Sequence, residues 1–338
     1  MSTKIHIKNN RWAPGSFPNT PEGEDVFTIT RKRFDNAVSE FSDLGDNLDL
    51  FIDWDTDNFE KSMADAEILL TWDLPTENLS SIAPKLKWIH CIGAGVEHML
   101  PMDWIPDGVC LTNNKGVHSA KAGEFGLMAL LMLHSHIPAV VTNQKNRVYD
   151  SLYASPMKGR TVVILGTGSL GGAIARQIQA LGVHVIGVNR SGRAVEGCDE
   201  VVRTEDLDYV LPRADYLVAA TPDTPQTSGL LDRRRLNLLK ADAGIINIGR
   251  EAVMDYEALC DKLEEGSLGG AILDVFNPEP IAEDSRLWNT RNLIITPHIS
   301  ADDGDAYIPL TLNLFFENLT LFQQGQPLLN PIQPDLGY

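Results

Sequence analysis

The sequence predicts an α/β protein built from two doubly wound parallel-sheet domains. Short apolar runs alternate with helical patterns through most of the chain, which is typical of parallel strands joined by helical crossovers. A glycine-rich turn also separates one apolar run from a helical pattern, as in dinucleotide-binding domains. With 338 residues, the chain is long enough for two domains.

Apolar runs in the first third of the chain predict four strands of a first sheet, over residues 48–52, 68–71, 88–91 and 109–112. A long helix is predicted next, over residues 123–133, with a break or kink near Pro138 because proline disrupts a helix interior. The apolar stretch in this helix is far shorter than the roughly 20 residues of a membrane span. We therefore interpret it as a buried helix.

Six further apolar runs predict a second sheet, over residues 161–165, 183–188, 216–220, 244–248, 271–275 and 293–296. Helical patterns cover residues 171–181 and 254–265, and the second ends at Gly266. The last helix, over residues 306–323, is expected to return to the first domain. We therefore predict a discontinuous first domain, residues 1–113 plus 302–338, and a second domain, residues 114–301.

The formal net charge of −18 argues against nonspecific nucleic-acid binding, which needs a basic surface. It also means that locally placed cations must attract any anionic substrate. No two cysteines have C-x-x-C spacing, so we expect no metal site. Three of the four cysteines lie in or beside apolar stretches, which predicts buried thiols and a reducing compartment. The N-terminus has no apolar run behind a basic start, so we expect a cytoplasmic protein without a membrane partner.

The most specific single motif is G-x-G-x-x-G at residues 166–171, between a predicted strand and a predicted helix. The first glycine permits a tight turn, the second lets the backbone approach a pyrophosphate, and the third lets the helix pack on the strand. The helix N-terminus then offers amide hydrogens to phosphate. A turn used only for packing is the alternative. We predict that the dinucleotide is bound by Gly166, Gly168, Ser169, Leu170 and Gly171.

The residues after the next strand favour NADP(H) as the cofactor. NAD-specific sites usually have an acidic residue about 20 positions after the glycine turn, which binds the ribose 2′-hydroxyl. This chain has Asn189, Arg190, Ser191 and Arg193 there, and a guanidinium can bind a 2′-phosphate with two hydrogen bonds. Alternatively, Arg190 stacks on the adenine, a role that either cofactor allows, so NAD remains possible.

Three polar residues follow strands of the second predicted sheet and suit the reduction of a keto acid. Arg250, Glu279 and His298 come after the fourth, fifth and sixth strands, at the edge where doubly wound sheets bind ligands. An arginine can hold a carboxylate, and a histidine can donate a proton to a carbonyl oxygen. A glutamate bonded to the other ring nitrogen favours the imidazolium.

Together these residues resemble the D-isomer-specific 2-hydroxyacid dehydrogenase family, closest to its glyoxylate/hydroxypyruvate reductase branch. The resemblance is carried by residues 93–98, 166–171, 247–250, 274–280 and 296–299. It implies a flavodoxin-like substrate domain and a Rossmann dinucleotide-binding domain, with the active site in the cleft between them. It also implies a homodimer, in which the helix over residues 123–133 supplies much of the contact.

The resemblance implies a role for each site residue. Arg250 would bind the substrate carboxylate, His298 would be the acid/base and Glu279 its partner. Backbone amides of Gly93, Ala94 and Gly95 would help to hold the same carboxylate. Residues expected to contact the cofactor are Thr221, Pro222, Thr227, Ile248 and Asp274. One departure is Glu251, where the family usually has glycine, and we expect its carboxylate to point outward.

The function implied is the reduction of glyoxylate, hydroxypyruvate or a similar short 2-keto acid to the D-2-hydroxy acid, with NADPH favoured over NADH. Because a fold does not determine a function, an alternative comes from a different class. It is a dinucleotide-sensing, corepressor-like interaction protein without significant turnover.

Overall fold

The computed structural model describes residues 2–12, 26–41, 44 and 47–334. The chain divides into two compact units: a first unit, Met1–Val117 with Asp303–Tyr338, and a second unit, His118–Asp302. The predicted outer domain limits, residues 1 and 338, lie outside the described residues. The assignment of the units to substrate and dinucleotide stays a prediction.

Among the described residues, the first unit has five parallel strands: β1 (Thr3–Asn9), β2 (Leu48–Trp54), β3 (Ile68–Thr71), β4 (Trp88–Cys91) and β5 (Cys110–Thr112). Their order in the sheet is β2-β1-β3-β4-β5. The prediction of four strands was wrong because it omitted β1. Strands covered on both faces usually consist of continuous apolar runs. In β1 the side chains of His6, Lys8 and Asn9 are buried although they are polar, which concealed the strand.

The second unit lies wholly within the described residues and has seven parallel strands: β6 (Thr161–Leu165), β7 (His184–Asn189), β8 (Glu200–Arg203), β9 (Tyr216–Ala219), β10 (Gly244–Asn247), β11 (Gly270–Leu273) and β12 (Leu293–Ile295). Their order is β12-β11-β10-β9-β6-β7-β8. The prediction of six strands omitted β8. This short strand at the sheet edge is only half-buried and carries charged residues at both ends, so it lacks an apolar pattern.

The helices in the described ranges are α1 (Arg31–Val38), α2 (Phe59–Met63), α3 (Leu79–Ile82), α4 (Ser119–His134), α5 (Ile137–Lys145), α6 (Ser169–Ile178), α7 (Leu207–Val210), α8 (Arg233–Leu236), α9 (Tyr256–Glu265) and α10 (Tyr307–Gln323). The break expected near Pro138 separates α4 from α5. His136 adopts a left-handed conformation there, with φ +56°, and Pro138 occupies the first turn of α5. No single helix in the described part of the chain is long and apolar enough to cross a membrane, and α4 and α5 meet that test only as a pair bent by 62°.

Each sheet is covered on both faces, which confirms the predicted fold class. Along β6, Val163 and Leu165 belong to one apolar cluster, whereas Val162 and Ile164 belong to another. The strands of the first unit divide their side chains between two clusters in the same way. Since neighbouring strands are parallel, all carboxyl ends in a sheet meet at one edge. The predicted site residues follow these carboxyl ends.

Candidate active site

The glycine turn is shaped by contacts that leave no room for side chains. Gly166 follows β6 with φ +91°, and a Cβ atom on it would lie 2.6 Å from Thr221 Cγ2. A Cβ atom on Gly171 would lie 2.0 Å from the carbonyl oxygen of Gly166. Both positions therefore require glycine if the strand is to turn tightly and α6 is to pack against it.

The same turn has open space at Gly168, which we call the open front. A Cβ atom on Gly168 would have no neighbour within 4 Å, and Gly168 precedes α6 without a side-chain cap. The amide hydrogens of Ser169 and Leu170 therefore stand at a helix N-terminus, where the dipole favours an anion. Thr221 adds a buried hydroxyl that has no hydrogen-bond partner among the described residues. The open space and this hydroxyl fit the pyrophosphate of a dinucleotide.

The other residues predicted to contact the cofactor are partly used to build loops. Thr227 donates its hydroxyl to the Pro222 carbonyl oxygen at 2.6 Å and accepts the Thr224 amide at 2.9 Å, which closes the loop after β9. Ile248 is 3% exposed and packs in the core. Its contribution is therefore to support the strand end behind the site.

Asn189 folds the turn that follows β7. Its Oδ1 accepts the amides of Ser191 and Gly192, and its Nδ2 donates to the Arg193 carbonyl oxygen. Nδ2 also donates to the Thr167 hydroxyl at 2.9 Å, which ties this turn to the glycine turn. Arg190, Ser191 and Arg193 are exposed on it. The structure thus brings the residues predicted to bind the adenosine ribose next to those predicted to bind the pyrophosphate.

Arg203 is a cofactor candidate that the sequence reasoning missed. It is the last residue of β8 and is paired with Asn189 in the parallel register. Its side chain passes Gly192, on which a Cβ atom would lie 3.0 Å from Arg203 Cγ. Among the described residues, Arg203 forms no ion pair within 4.0 Å. The Arg203 side chain therefore lies beside the turn that carries Arg190 and Arg193, and only recognition of β8 as a strand could have revealed this.

Arg250 follows β10 on a backbone that Asn247 holds in place. Asn247 Nδ2 donates to the Arg250 carbonyl oxygen at 3.1 Å and to the Tyr256 hydroxyl at 3.0 Å. Asn247 Oδ1 accepts the Gly249 amide at 3.0 Å, and Tyr256 donates to the Val275 carbonyl oxygen. These bonds fix the strand ends of β10 and β11 relative to each other.

The expected outward direction of the Glu251 carboxylate, away from Arg250, stays a prediction. Its side chain is half-buried, and burial together with the neighbouring carboxylate of Asp223 raises its pKa. Glu251 begins a 3₁₀ turn (Glu251–Val253) that takes the chain away from β10. The carboxylate therefore lies toward Asp223 on the side of the β9 loop.

Asp274 organises the loop that carries His298. Its carboxylate is fully buried and accepts hydrogen bonds from the Thr296 hydroxyl and from the amides of Ile299 and Ser300. The His298 amide donates to the Asp274 carbonyl oxygen at 2.9 Å. The contact of Asp274 with the nicotinamide remains a prediction. In this structure its carboxylate positions His298.

Glu279 and His298 form a hydrogen-bonded pair. His298 Nδ1 lies 2.8 Å from Glu279 Oε2, while Glu279 Oε1 accepts the Phe276 amide at 2.8 Å. Burial opposes the imidazolium, but the hydrogen bond and charge of Glu279 outweigh it and raise the pKa of His298. The bond assigns the Nδ1 proton to the Glu279 side, so Nε2 is the atom that can exchange a proton with a substrate.

The second unit brings the three predicted catalytic residues together. The positive charge of Arg250 contributes to the pKa of both Glu279 and His298, and the three follow neighbouring strands in the sheet. Asp302 faces the same group, and burial raises its pKa to about 6. In the described ranges, no group of three or more His, Cys, Asp or Glu side chains could hold a metal ion.

Gly93, Ala94 and Gly95 belong to the first unit and follow β4. The Gly93 carbonyl oxygen accepts the Asn114 amide at 3.0 Å, and the Ala94 carbonyl oxygen accepts from the Asn113 side chain. A Cβ atom on Gly93 would lie 3.3 Å from the Trp72 ring. The carbonyl oxygens are thus engaged by the β5 end, which orients the loop that is predicted to bind the substrate carboxylate.

Comparison with known proteins identifies similar sequences and structures. The model of the D-isomer specific 2-hydroxyacid dehydrogenase NAD binding domain matches residues 127–300. A D-isomer specific 2-hydroxyacid dehydrogenase from Xanthobacter autotrophicus Py2, solved with NADPH and MES, is 27% identical with a TM-score of 0.82 over 100% of both chains. An NADPH-dependent glyoxylate/hydroxypyruvate reductase from Sinorhizobium meliloti, solved with NADP and sulfate, is 26% identical with a TM-score of 0.78 over 100% of both chains.

A curated relative is longer than this chain. The D-3-phosphoglycerate dehydrogenase of Mycobacterium bovis is 29% identical over 276 residues, which are 80% of this chain and 52% of that relative. The chain therefore spans about half the length of the phosphoglycerate dehydrogenase that it matches.

The glycine turn permits a test with three alanine substitutions. Gly171→Ala should lower the melting temperature and abolish dinucleotide binding, because its Cβ atom would meet backbone at 2.0 Å. Gly168→Ala should preserve the melting temperature but weaken binding, because its methyl group would occupy the open front. Gly172→Ala is the control: its nearest contact is 3.6 Å, and an alanine inside a helix should stabilise the fold by about 0.5–1 kcal/mol.

Calorimetry and the Kd for NADPH distinguish these outcomes. If Gly168→Ala bound NADPH as tightly as the unaltered chain, the open front would not be the pyrophosphate site.

Proposed function

The chain belongs to the D-isomer specific 2-hydroxyacid dehydrogenase family, and we propose that it transfers a hydride from NADPH to a small 2-keto acid and forms the D-2-hydroxy acid. The observation that carries this proposal is the 2.8 Å contact between His298 Nδ1 and Glu279 Oε2. The positive charge of Arg250 acts on the pKa of both groups. An acid/base pair beside a guanidinium is the arrangement that reduction of a carboxylate-bearing ketone requires.

The side chains divide the reaction between them. A bound nicotinamide would supply the hydride. Arg250 would hold the substrate carboxylate through two parallel hydrogen bonds and so orient the carbonyl. His298 would donate the Nε2 proton to the carbonyl oxygen, which becomes the hydroxyl, and the neutral ring would regain its proton from solvent. Glu279 stabilises the imidazolium before this transfer.

Three arginines support NADPH as the preferred cofactor. Arg190, Arg193 and Arg203 surround the turn after β7, and no acidic residue lies within residues 189–193. A carboxylate there would repel a 2′-phosphate, whereas guanidinium groups bind it. The similar structures from X. autotrophicus and S. meliloti contain NADPH and NADP, respectively.

The alternative of a corepressor-like interaction protein has less support. A scaffold without turnover does not need a histidine whose pKa is raised by a half-buried carboxylate partner. The homodimer implied by the resemblance stays a prediction. It is supported by the apolar side chains that α4 and α5 leave exposed, namely Met128, Leu131, Val140 and Val141.

The catalytic assignment predicts a large loss of activity in His298→Asn. General acid catalysis is commonly worth about 10²–10⁴-fold, so kcat for keto-acid reduction should fall by that factor. His184→Asn, which alters a half-exposed histidine near Asp199 and Glu200, is the matched control and should keep its activity. NADPH absorbance with a panel of keto acids measures both. Near-normal turnover of His298→Asn would contradict the assignment, and no turnover with any acid despite tight NADPH binding would favour the scaffold.

The Glu279 contact predicts the direction of a pH shift. Reduction requires the imidazolium, which is present below the pKa of His298 in the folded chain and is lost as the pH rises through it. Because Glu279 raises that pKa, Glu279→Gln should move the alkaline limb of kcat/KM to lower pH. Glu283→Gln, which alters an exposed acid of the same loop, should leave the limb in place. An unchanged alkaline limb in Glu279→Gln would contradict the role of Glu279 in raising the pKa of His298.

The arginine cluster predicts a change in cofactor preference. Arg203→Ala should weaken NADPH by about 10- to 100-fold, the value of a hydrogen bond between charged groups, and should leave NADH nearly unaffected. The double variant Arg190→Ala and Arg193→Ala should weaken NADPH binding relative to NADH binding by a larger factor. Arg234→Ala, whose partner is Asp208, is the control. Dissociation constants that rise equally for NADPH and NADH would show that these residues do not recognise the 2′-phosphate.

A further inference from the structure

A polar cavity of about 530 Å³ lies at the carboxyl edge of the first unit's sheet. Its walls come from the segments that follow β1, β2 and β3, together with His98 after β4. The polar residues that face it include Lys8, Asn10, Arg11 and Asp73. Glyoxylate, which has no carbon beyond its aldehyde group, would leave a cavity of this size empty.

Lys8 is the central polar group of this cavity. Its side chain is only 5% exposed, and burial of an ammonium is costly unless hydrogen bonds compensate for it. Its Nζ donates to Asn10 Oδ1 at 2.5 Å and to Asp73 Oδ1 at 2.6 Å. An ammonium has three hydrogens, and two of them have partners among the described residues. The third is available to a group in the cavity.

Both cations of the cavity are paired with carboxylates. Lys8 is paired with Asp73, and Arg11 is paired with Asp55 at 2.9 Å and with Asp57 at 2.8 Å. A phosphate or a second carboxylate on the substrate would therefore meet cations that are already neutralised, together with exposed carboxylates. Alternating donors and acceptors instead suit hydroxyl groups, since each hydroxyl both donates and accepts.

Aromatic rings connect this cavity with the loop predicted to bind the substrate carboxylate. The Trp72 ring is the side chain that a Cβ atom on Gly93 would meet at 3.3 Å. The same ring stacks on His98 with centroids 5.3 Å apart, and meets the Trp12 ring edge-on at 5.8 Å. Trp12 and His98 both line the cavity. Their rings offer apolar surfaces to the carbon atoms of a hydroxylated chain.

The strand order sets the length of substrate that would reach the cavity. Gly93 follows β4, and Lys8 lies at the end of β1, with β3 between them. Two strand spacings amount to about 10 Å. A two- or three-carbon acid held at Gly93 would not extend so far, whereas an acid of five or six carbons would place its terminal hydroxyls there.

We propose that this cavity is the subsite for a hydroxyl-bearing tail, and that the preferred substrates are polyhydroxylated 2-keto acids of five or six carbons. The proposal rests on the reductase function proposed above and on the binding of the substrate carboxylate at residues 93–95. Lys8 and Asp73 are the specificity-determining residues, because they would donate to and accept from neighbouring hydroxyls of the tail.

A kinetic panel tests the substrate class. Its members are glyoxylate, 2-keto-D-gluconate, 2-oxohexanoate (the same length without hydroxyls) and 2-oxoadipate (a second carboxylate), each with NADPH. We expect kcat/KM for 2-keto-D-gluconate to exceed each of the others by about 10-fold or more, the value of one to two hydrogen bonds to charged groups. A preference for glyoxylate, 2-oxohexanoate or 2-oxoadipate would overturn the proposal. Reduction of none of the four would overturn the reductase function itself.

Variants of the cavity test the two residues. Lys8→Met and Asp73→Asn should each lower the ratio of kcat/KM for 2-keto-D-gluconate over glyoxylate by about 10-fold, mainly through KM. Lys85→Met, which removes an exposed lysine paired with Asp65, is the matched control and should leave the ratio unchanged. Because Lys8 is buried, melting temperatures accompany the kinetics, and the half-exposed Asp73 provides a variant that should fold normally. An unchanged ratio in folded Asp73→Asn would overturn the subsite.

Discussion

The geometry of the candidate site depends on the buried carboxylate of Asp274. A carboxylate removed from water is costly unless hydrogen bonds replace its hydration, and the residues after β12 supply three of them. The same bonds determine the path of the backbone through His298, which has φ +54°. Such a conformation costs a non-glycine residue about 1–3 kcal/mol and persists only where its surroundings enforce it. The imidazole therefore meets Glu279 because Asp274 holds the loop on which it stands.

The basic residues of this acidic chain have two different kinds of surroundings. Arg190 and Arg193 lie in the turn after β7, the Arg203 side chain passes Gly192 of that turn, and residues 189–193 include no carboxylate although the net charge of the chain is −18. In the first unit, Lys8 and Arg11 are paired with aspartates. The first arrangement suits an anion and the second suits a neutral polar group. The pairing of cations with carboxylates thus distinguishes the proposed 2′-phosphate site from the proposed subsite for hydroxyls.

Features that are local in the sequence could be predicted from it, whereas features that depend on contacts between distant segments could not. The glycine turn and the Arg250, Glu279 and His298 assignments came from short motifs that directly follow apolar strands, and the structure brings these three residues together. Strands β1 and β8 were missed because their polar residues interrupt the apolar pattern. Arg203 was therefore not predicted as a cofactor residue, because its proximity to Asn189 comes from the register between β7 and β8. The cavity around Lys8 was equally hidden, because a lysine in a sequence gives no sign that it will be buried.

Asn189 links cofactor preference to the folding of the cofactor site. An aspartate at this position would keep the acceptor for the Ser191 and Gly192 amides but would lose both hydrogen bonds that Nδ2 donates, to Thr167 and to the Arg193 carbonyl oxygen. It would therefore loosen the turn that carries Arg190 and Arg193, and it would also place a negative charge beside the 2′-phosphate of the proposed NADPH. Both effects would weaken the binding of the proposed NADPH. If the chain prefers NADPH as proposed, a change of preference toward NADH would need more than the removal of arginines, because the turn itself is built around the amide side chain of Asn189.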